Sequence, residues 1–391
     1  MMFRIILLSL FGLLLAGCTA SDIRNIRILA DDPVAAAEQI IEEKGRAYAA
    51  NPASIPADIR AYRDKLKRFV NLVNDIWGED KTLESGPKDY VKYTDNYYNR
   101  AHINFAAGTV TVETLSPKEQ QRYLKQAIVT TLLTPDDPRQ VDIYSDITPE
   151  ATGKPFLYEQ VLDQDGKPIQ WEWRANRYAD YLIKSSLKNV TIGKRKGLRV
   201  TFPLIATHNQ IRAYKYVNLV KKYSKKYNVN ESLIYAIIKT ESSFNPFAVS
   251  HAPAYGLMQI VPSTAGKDVY AKIKKQSGQP TPDNLYNPDY NIDIGTAYIQ
   301  LLQTQYLAKV AEQNAKRYTV ISAYNGGAGN VLKTFSSNRE QAVVMINQLS
   351  PTQVFNQLTN NHPKQESRRY LIKVTDAQKE FWRNNGFATP N

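Results

Sequence analysis

The hydrophobic pattern of this chain changes character near residue 206, and that change sets what each part can fold into. Before it the pattern is mixed. Tyr62, Leu66, Phe69-Val70 and Val73 recur at helical spacing up to Trp77-Gly78, and then Ile103-Asn104-Phe105 and Val110-Thr111-Val112 alternate about Ala106-Ala107-Gly108, the period-two signature of a hairpin. Ser116-Pro117-Lys118-Glu119 has the form of a capping box with Pro at the first helical position, which predicts a helix to about Leu133, stopped by Pro135-Asp136-Asp137-Pro138. Strands are expected at Phe156 to Leu162 and Ile169 to Trp173, joined through Asp163-Gln164-Asp165-Gly166. A helix from about Arg177 to Leu187 and a strand near Leu198 to Phe202 follow. From 206 onward the pattern is helical almost throughout. Ile211, Tyr214, Val217, Val220, Tyr223 and Tyr227 form one stripe, Lys221-Lys222 and Lys225-Lys226 fall on its wet side, and Asn230 can cap the next helix. The expected fold class is multidomain α+β: a mixed α/β N-terminal domain over 61–205, then an all-α domain over 206–391.

The N-terminus sets location. Arg4 precedes the apolar run Ile5 to Leu15, which is too short to span a bilayer core of about 30 Å and reads as the core of a signal peptide over residues 1–17. Leu15-Ala16-Gly17-Cys18 resembles the bacterial lipobox, which implies cleavage before Cys18 and lipidation of its sulfur. Cys18 is the only cysteine, so no disulfide can form within the chain. Thr19 in place of Asp resembles the outer-membrane address. Residues 18–60, with Pro33, Pro52 and Pro56, read as a lipidated tether. The expectation is a chain held in the outer membrane by acyl groups and facing the periplasm.

Composition narrows the partners. An excess of 50 Lys and Arg over 37 Asp and Glu gives a net charge of +13, suited to anionic polymers. The lipobox places the chain outside the cytoplasm and argues against nucleic acid, whereas peptidoglycan carries free peptide carboxylates. The basic run Lys194 to Arg199 reads as a solvated loop. Four scattered histidines, His102 among them, have no metal-ligand spacing, so neither metal nor cofactor is expected.

Glu241 is the residue that points to chemistry. It ends a helical run, in line with Ile234, Ile237 and Ile238, where enclosure and the negative end of the helix dipole both disfavour an anion and raise a carboxyl pKa. A carboxyl still protonated near neutrality is a proton donor. As an isolated glutamate it would read as an ordinary helix-end residue. The order Glu241-Ser242-Ser243-Phe244-Asn245-Pro246, Gly256-Leu257-Met258-Gln259-Ile260, Ala323-Tyr324-Asn325-Gly326-Gly327 and Glu366-Ser367-Arg368-Arg369-Tyr370 resembles the catalytic domain of lytic transglycosylases related to goose-type lysozyme. Gly86 to Asp95, His102 to Phe105 and Val141 to Asp146 are similar to the N-terminal domain of the membrane-bound murein transglycosylases of type C.

That resemblance implies a lysozyme-like catalytic domain acting on peptidoglycan glycan strands and muropeptides, with no cofactor. Glu241 would be the single general acid and base. Met258 would pack a sugar face or the core, and Gln259 would bond a polar group of the saccharide. Tyr324 would contact sugar or hold Glu241, Asn325 would bond substrate or loop backbone, and Tyr370 could hydrogen-bond Glu241. Ser242 would cap backbone or bind substrate. Gly326-Gly327-Ala328-Gly329 lacks the Lys-Ser/Thr of a phosphate loop. A glycosidase ordinarily needs two carboxyls, and the next acids, Asp268, Asp283, Asp289 and Asp293, stand outside the motifs. Without a second acid, the acetamido oxygen and C6 hydroxyl of N-acetylmuramic acid must do the work, leaving a 1,6-anhydromuramoyl end. The rivals are a hydrolase with a second acid and a wall-binding scaffold. Partners in cell-wall synthesis or division are not legible in the sequence.

Overall fold

A computed structural model describes residues 57–250 and 252–383, with side chains from Asp64 onward; the lipobox and Cys18 lie outside the described residues. The expected fold class holds: a sheet with flanking helices, followed by helices alone.

Helix α1 (Ala57–Trp77) leads into β1 (Asp89–Thr94), β2 (Asn99–Asn104) and β3 (Thr109–Thr114). Helices α2 (Gln120–Leu132) and α3 (Glu172–Ser186) and strands β4 (Lys188–Ile192) and β5 (Arg195–Pro203) complete this part. The antiparallel sheet has the order β1-β2-β3-β5-β4. The expected hairpin is β2–β3, paired Asn104 to Thr109, and Gly108 supplies the positive φ of 65° in its turn. Both faces of β1 are covered, so it reads as a nearly continuous buried run rather than an alternation. Val91 and Tyr93 join the cluster of Phe69, Val73 and Trp77 from α1, while Tyr90, Lys92 and Thr94 line a small cavity with Ala127, Thr130 and Thr131 of α2. Glu113 takes Arg100 from one neighbouring strand and Arg199 from the other, at 2.6 and 2.5 Å, and Arg100 lies 3.9 Å over Trp77.

Four local expectations are corrected. The capping box does not form: Glu119 has φ 47°, the Ser116 hydroxyl donates to Lys118 O at 3.0 Å, and α2 starts at Gln120. Residues 156–162 and 169–173 are not strands. The Asp163 carboxylate gathers the loop by accepting from the backbone N–H groups of Asp165 and Lys167 and pairing with Arg174, and Trp173 already belongs to α3. Such local side-chain bonds offer the backbone an alternative to a ladder. The basic run 194–199 is mostly β5, because Arg199 has Glu113 to pair with; a Cβ on Gly197 would lie 2.3 Å from Thr114 O. The stripe from Ile211 to Tyr227 is two helices, α4 (His208–Lys215) and α5 (Val217–Tyr227). The break at Tyr216 buries Arg212, Ala213 and Tyr216 and turns Tyr214 outward.

The helical part continues with α6 (Glu231–Ser242), α7 (Pro282–Tyr286), α8 (Pro288–Leu301), α9 (Gln313–Gly326), α10 (Ala328–Lys333), α11 (Arg339–Gln348), α12 (Pro351–Asn361) and α13 (Gln365–Arg383). Asn230 caps α6 as expected, accepting from Ser232 N at 2.8 Å. Residues 232–238 are buried all round, so α6 is the core helix of this half rather than an amphipathic one. It packs against α13, with Tyr235 and Phe381 rings 5.0 Å apart and Gln378 donating to Ser232 Oγ at 3.0 Å.

Candidate active site

Glu241 occupies the last turn of α6, and the chain reverses just beyond it. Ser243 and Phe244 adopt positive φ of 51° and 61°, and Ser243 N closes the helix by donating to Lys239 O. The reversal brings Asn245 to Phe247 back beneath the helix end, leaving Glu241 half-buried.

Tyr370, on α13, donates its hydroxyl to Glu241 Oε1 at 2.7 Å, while Oε2 makes no hydrogen bond among the described residues. Burial is the largest influence on this carboxyl and raises its pKa from 4.5 to about 8. The Tyr370 hydrogen bond and Lys88 pull the value down, and the charge of Glu366 pushes it up. The dipole argument from sequence has the right sign, but enclosure dominates. Tyr370 and Tyr324 are themselves held well above the ordinary tyrosine range by burial and by the neighbouring Glu241, so both stay protonated donors.

The wall opposite α6 is the segment 255–260. Gly256 has φ 73°, and a Cβ there would fall 2.4 Å from Asn291 Nδ2, so only glycine lets this segment lie against α8. Asn291, fully buried on α8, donates to Tyr255 O and Leu285 O and accepts from Met258 N, each at 2.8 Å. Tyr324 of α9 donates to Met258 O at 2.9 Å. Thus α8 and α9 hold this segment, and α13 holds the acid.

The site residues expected from sequence divide accordingly. Glu241, Tyr370 and Tyr324 come together, and Asn325 joins the rim, donating to Glu366 Oε1 at 3.1 Å and accepting from Ser367 Oγ at 2.6 Å. Gln259 has a positive φ of 47°; its amide donates to Gly256 O at 3.0 Å and its Oε1 has no partner among the described residues. For two residues the surroundings favour one of the two expected alternatives. Ser242 has no exposed surface and its hydroxyl lies against Ile238 O and Leu257 O, tying the helix end to the opposite wall rather than meeting substrate. Met258 is likewise fully buried; its sulfur packs so closely on Gly295 that a Cβ there would fall at 2.4 Å. Leu257 and Ile260 are buried with it.

Of the four acids considered from sequence, Asp283 is exposed on α7 and the other three are committed elsewhere. Asp293 is held by Lys226, Lys274 and Tyr227, Asp289 by Lys222 and Tyr223, and Asp268 by Tyr306. The second carboxylate that Glu241 feels is Glu366, exposed and one turn before Tyr370 on α13. It stood inside a recognised motif, and its i, i+4 spacing from Tyr370 was the signal that placed it on the same face. Asn291 was also missed, although a polar residue beside Ile292 and Ile294 in a helical run marks a buried role. Lys88 carried no such signal. The turn Gly86 to Asp89 reaches the site from the sheet half: Asn245 Nδ2 donates to Pro87 O at 3.4 Å, and Phe247 packs on Tyr90 and Phe156 with centroids 4.9 and 5.1 Å apart. Arg212 completes this seam, donating to Ser243 O at 3.1 Å and to Gln160 Oε1 at 2.7 Å and lying 4.4 Å over Phe105. His102 pairs with Asp89 at 2.8 Å. No cluster of metal-ligating side chains and no helix able to cross a membrane occur among the described residues.

Comparison with known proteins agrees with this architecture. The N-terminal domain of membrane-bound lytic murein transglycosylase C matches residues 55–215, and the transglycosylase SLT domain matches residues 218–345. The membrane-bound lytic murein transglycosylase C of Yersinia enterocolitica is 50% identical over 328 residues, 84% of this chain and 91% of that protein. Its namesake from Yersinia pestis is 50% identical over 327 residues, covering 83% and 91%. The 70 kDa soluble lytic transglycosylase of Escherichia coli is 27% identical over 44% of this chain and 24% of its own, with a TM-score of 0.34. A chain with half its residues in common with the two Yersinia proteins over nearly their whole length, and with both family domains in order along its own sequence, belongs to the membrane-bound lytic murein transglycosylase C family and is a lytic transglycosylase of peptidoglycan.

Proposed function

We propose that Glu241 alone carries the proton chemistry of glycan cleavage between N-acetylmuramic acid and N-acetylglucosamine. The observation that carries this reading is the carboxyl itself: Oε1 is fixed by Tyr370, Oε2 is uncommitted, and burial keeps the group protonated at neutral pH. Glu241 gives its proton to the glycosidic oxygen as the C1–O bond breaks, while the acetamido oxygen of the muramyl residue attacks C1 and bears the positive charge as an oxazolinium. The C6 hydroxyl then displaces the acetamido oxygen at C1 and returns its proton to the Glu241 carboxylate, giving a 1,6-anhydromuramoyl end with no water consumed. A pKa of about 8 suits both halves, since the group must donate near pH 7 and then take a proton back. Tyr370 positions the acid and Tyr324 positions the wall. Gln259 and Asn325 supply polar contacts to the saccharide.

Glu366 is the group a hydrolase would use to activate water, and product analysis separates the two cases. Mass spectrometry of digested wall should show anhydro ends, and cleavage should fall by several orders of magnitude in Glu241→Gln. Reducing ends carrying an added water would overturn the mechanism. We further propose that the chain is anchored through lipidated Cys18 in the outer membrane, facing the periplasm, and acts there in wall turnover. Cys18→Ala should then release it from the membrane fraction.

A further inference from the structure

The half of the molecule that carries the sheet delivers a cation to the reacting carboxyl. Lys88 sits at the third position of a tight turn, Gly86 to Asp89, closed by Gly86 N donating to Asp89 O at 3.0 Å. Its backbone is fixed from behind, where Phe105 N donates to Lys88 O at 3.1 Å, and from the front, where Asn245 Nδ2 donates to Pro87 O at 3.4 Å. Asn245 stands four residues after Glu241, and the Tyr90 ring packs on Phe247 at 4.9 Å, so the turn is seated on the loop that follows the acid. Lys88 and Glu241 each feel the other's charge, and Lys239 and Lys373 also act on Lys88.

These lysines are not equivalent. Lys239 is paired with Glu380 across α6 and α13, and Lys373 is exposed. Lys88 is half-buried and makes no hydrogen bond or ion pair among the described residues. Glu241 does not satisfy it, because that carboxyl bonds Tyr370 and makes no ion pair with Lys88. A partly desolvated ammonium without a partner, held on a rigid turn beside the bond-breaking group, is an anion-recognition element waiting for its ligand. In peptidoglycan the anions near the scissile bond are the carboxylates of the peptide stem, which hangs from the muramyl ring that Glu241 addresses.

We propose that Lys88 is a substrate-reading residue whose ammonium takes a stem-peptide carboxylate of the bound glycan strand, so that the N-terminal half selects peptide-bearing over peptide-free strands. This deepens the Glu241 reading and rests on it for the placement of the muramyl ring. The test compares kcat/KM of the full chain on glycan strands with intact stems and on the same strands stripped by an amidase, the lactyl carboxylate thereby exposed on each muramyl ring being capped as its amide. In Lys88→Met the ratio of the two values should fall about tenfold, the worth of one hydrogen bond to a charged group, mainly through KM on the peptide-bearing strand. Lys88→Arg should keep the ratio near that of the parent enzyme. An unchanged ratio in Lys88→Met, or an equal loss on both substrates, would overturn the proposal, the second result meaning that Lys88 acts only through Glu241. Because the ratio compares two substrates of one enzyme, it is independent of product type. The Glu241 mechanism fails separately, on the appearance of hydrated rather than anhydro ends.

Discussion

Replacing Glu241 by Gln should make the protein more stable while abolishing its activity. In the folded chain the carboxyl holds its proton up to about pH 8, whereas in the unfolded chain it releases it near 4.5. A folded-state pKa raised in this way means that the stability associated with the group is complete below about pH 4.5 and is lost as pH climbs toward 8. Each pH unit in that window is worth about 1.36 kcal/mol, so at pH 7 the wild-type chain gives up at most about 3.4 kcal/mol to keep an ionisable group there. Water reaching the open side of the site lowers that figure. Gln has the same shape, still accepts from Tyr370, and never ionises. The gain should appear in denaturant unfolding at pH 7, shrink as pH falls, and vanish near pH 4; in thermal melts it amounts to roughly 2–4 °C per kcal/mol. A Gln variant no more stable than the parent at pH 7, or a gain that does not depend on pH, would refute the claim that the enclosure of this carboxyl raises its pKa.

The same carboxyl predicts the rate profile: activity should be level below about pH 7 and fall tenfold per unit above about pH 8, the pKa being set by burial with Tyr370, Glu366 and Lys88 as its charged and polar neighbours. Tyr370→Phe removes a bond that lowers that pKa, so the alkaline limb should move upward while kcat drops about tenfold; a limb that moves down would count against the assignment. Asn291→Ala breaks the two bonds that hold the wall at 255–258 and a third to Leu285 O of α7, and should cost about 3 kcal/mol in unfolding free energy, with a fall in kcat as the wall loosens. Ser242→Ala should cost about 1–2 kcal/mol of stability and leave KM as it is, because its hydroxyl serves the backbone; a large rise in KM would restore it to the substrate site.

What could be read from the chain itself was what depends on near neighbours. The β2–β3 hairpin, the Asn230 cap, the helix ending at Glu241 and the helical second half follow from periodicity and turn chemistry, because side-chain direction repeats every two or 3.6 residues whatever lies beyond. Where local signals failed, a side chain had found a better partner. Asp163 draws residues 163–167 into a loop that resembles a strand turn in sequence, and Glu113 draws Arg199 into the sheet. The motif order was likewise enough to mark Glu241 and Tyr370 as belonging together, since a hydrogen bond across 129 positions is invisible to periodicity but not to motif resemblance.

Only the tertiary structure decided how much water Glu241 keeps, and with it the pKa of about 8, because burial is the largest influence and Tyr370, Glu366 and Lys88 act on it from distant parts of the chain. The same holds for Ser242 and Met258, for which the motifs left substrate and core both open and whose surroundings are core, and for Glu366 and Lys88, which share the field of one carboxyl from opposite ends of the chain. Spacing along a helix tells which way a side chain points; what it points at is supplied by residues a hundred or more positions away, and for a proton donor that is the quantity that matters.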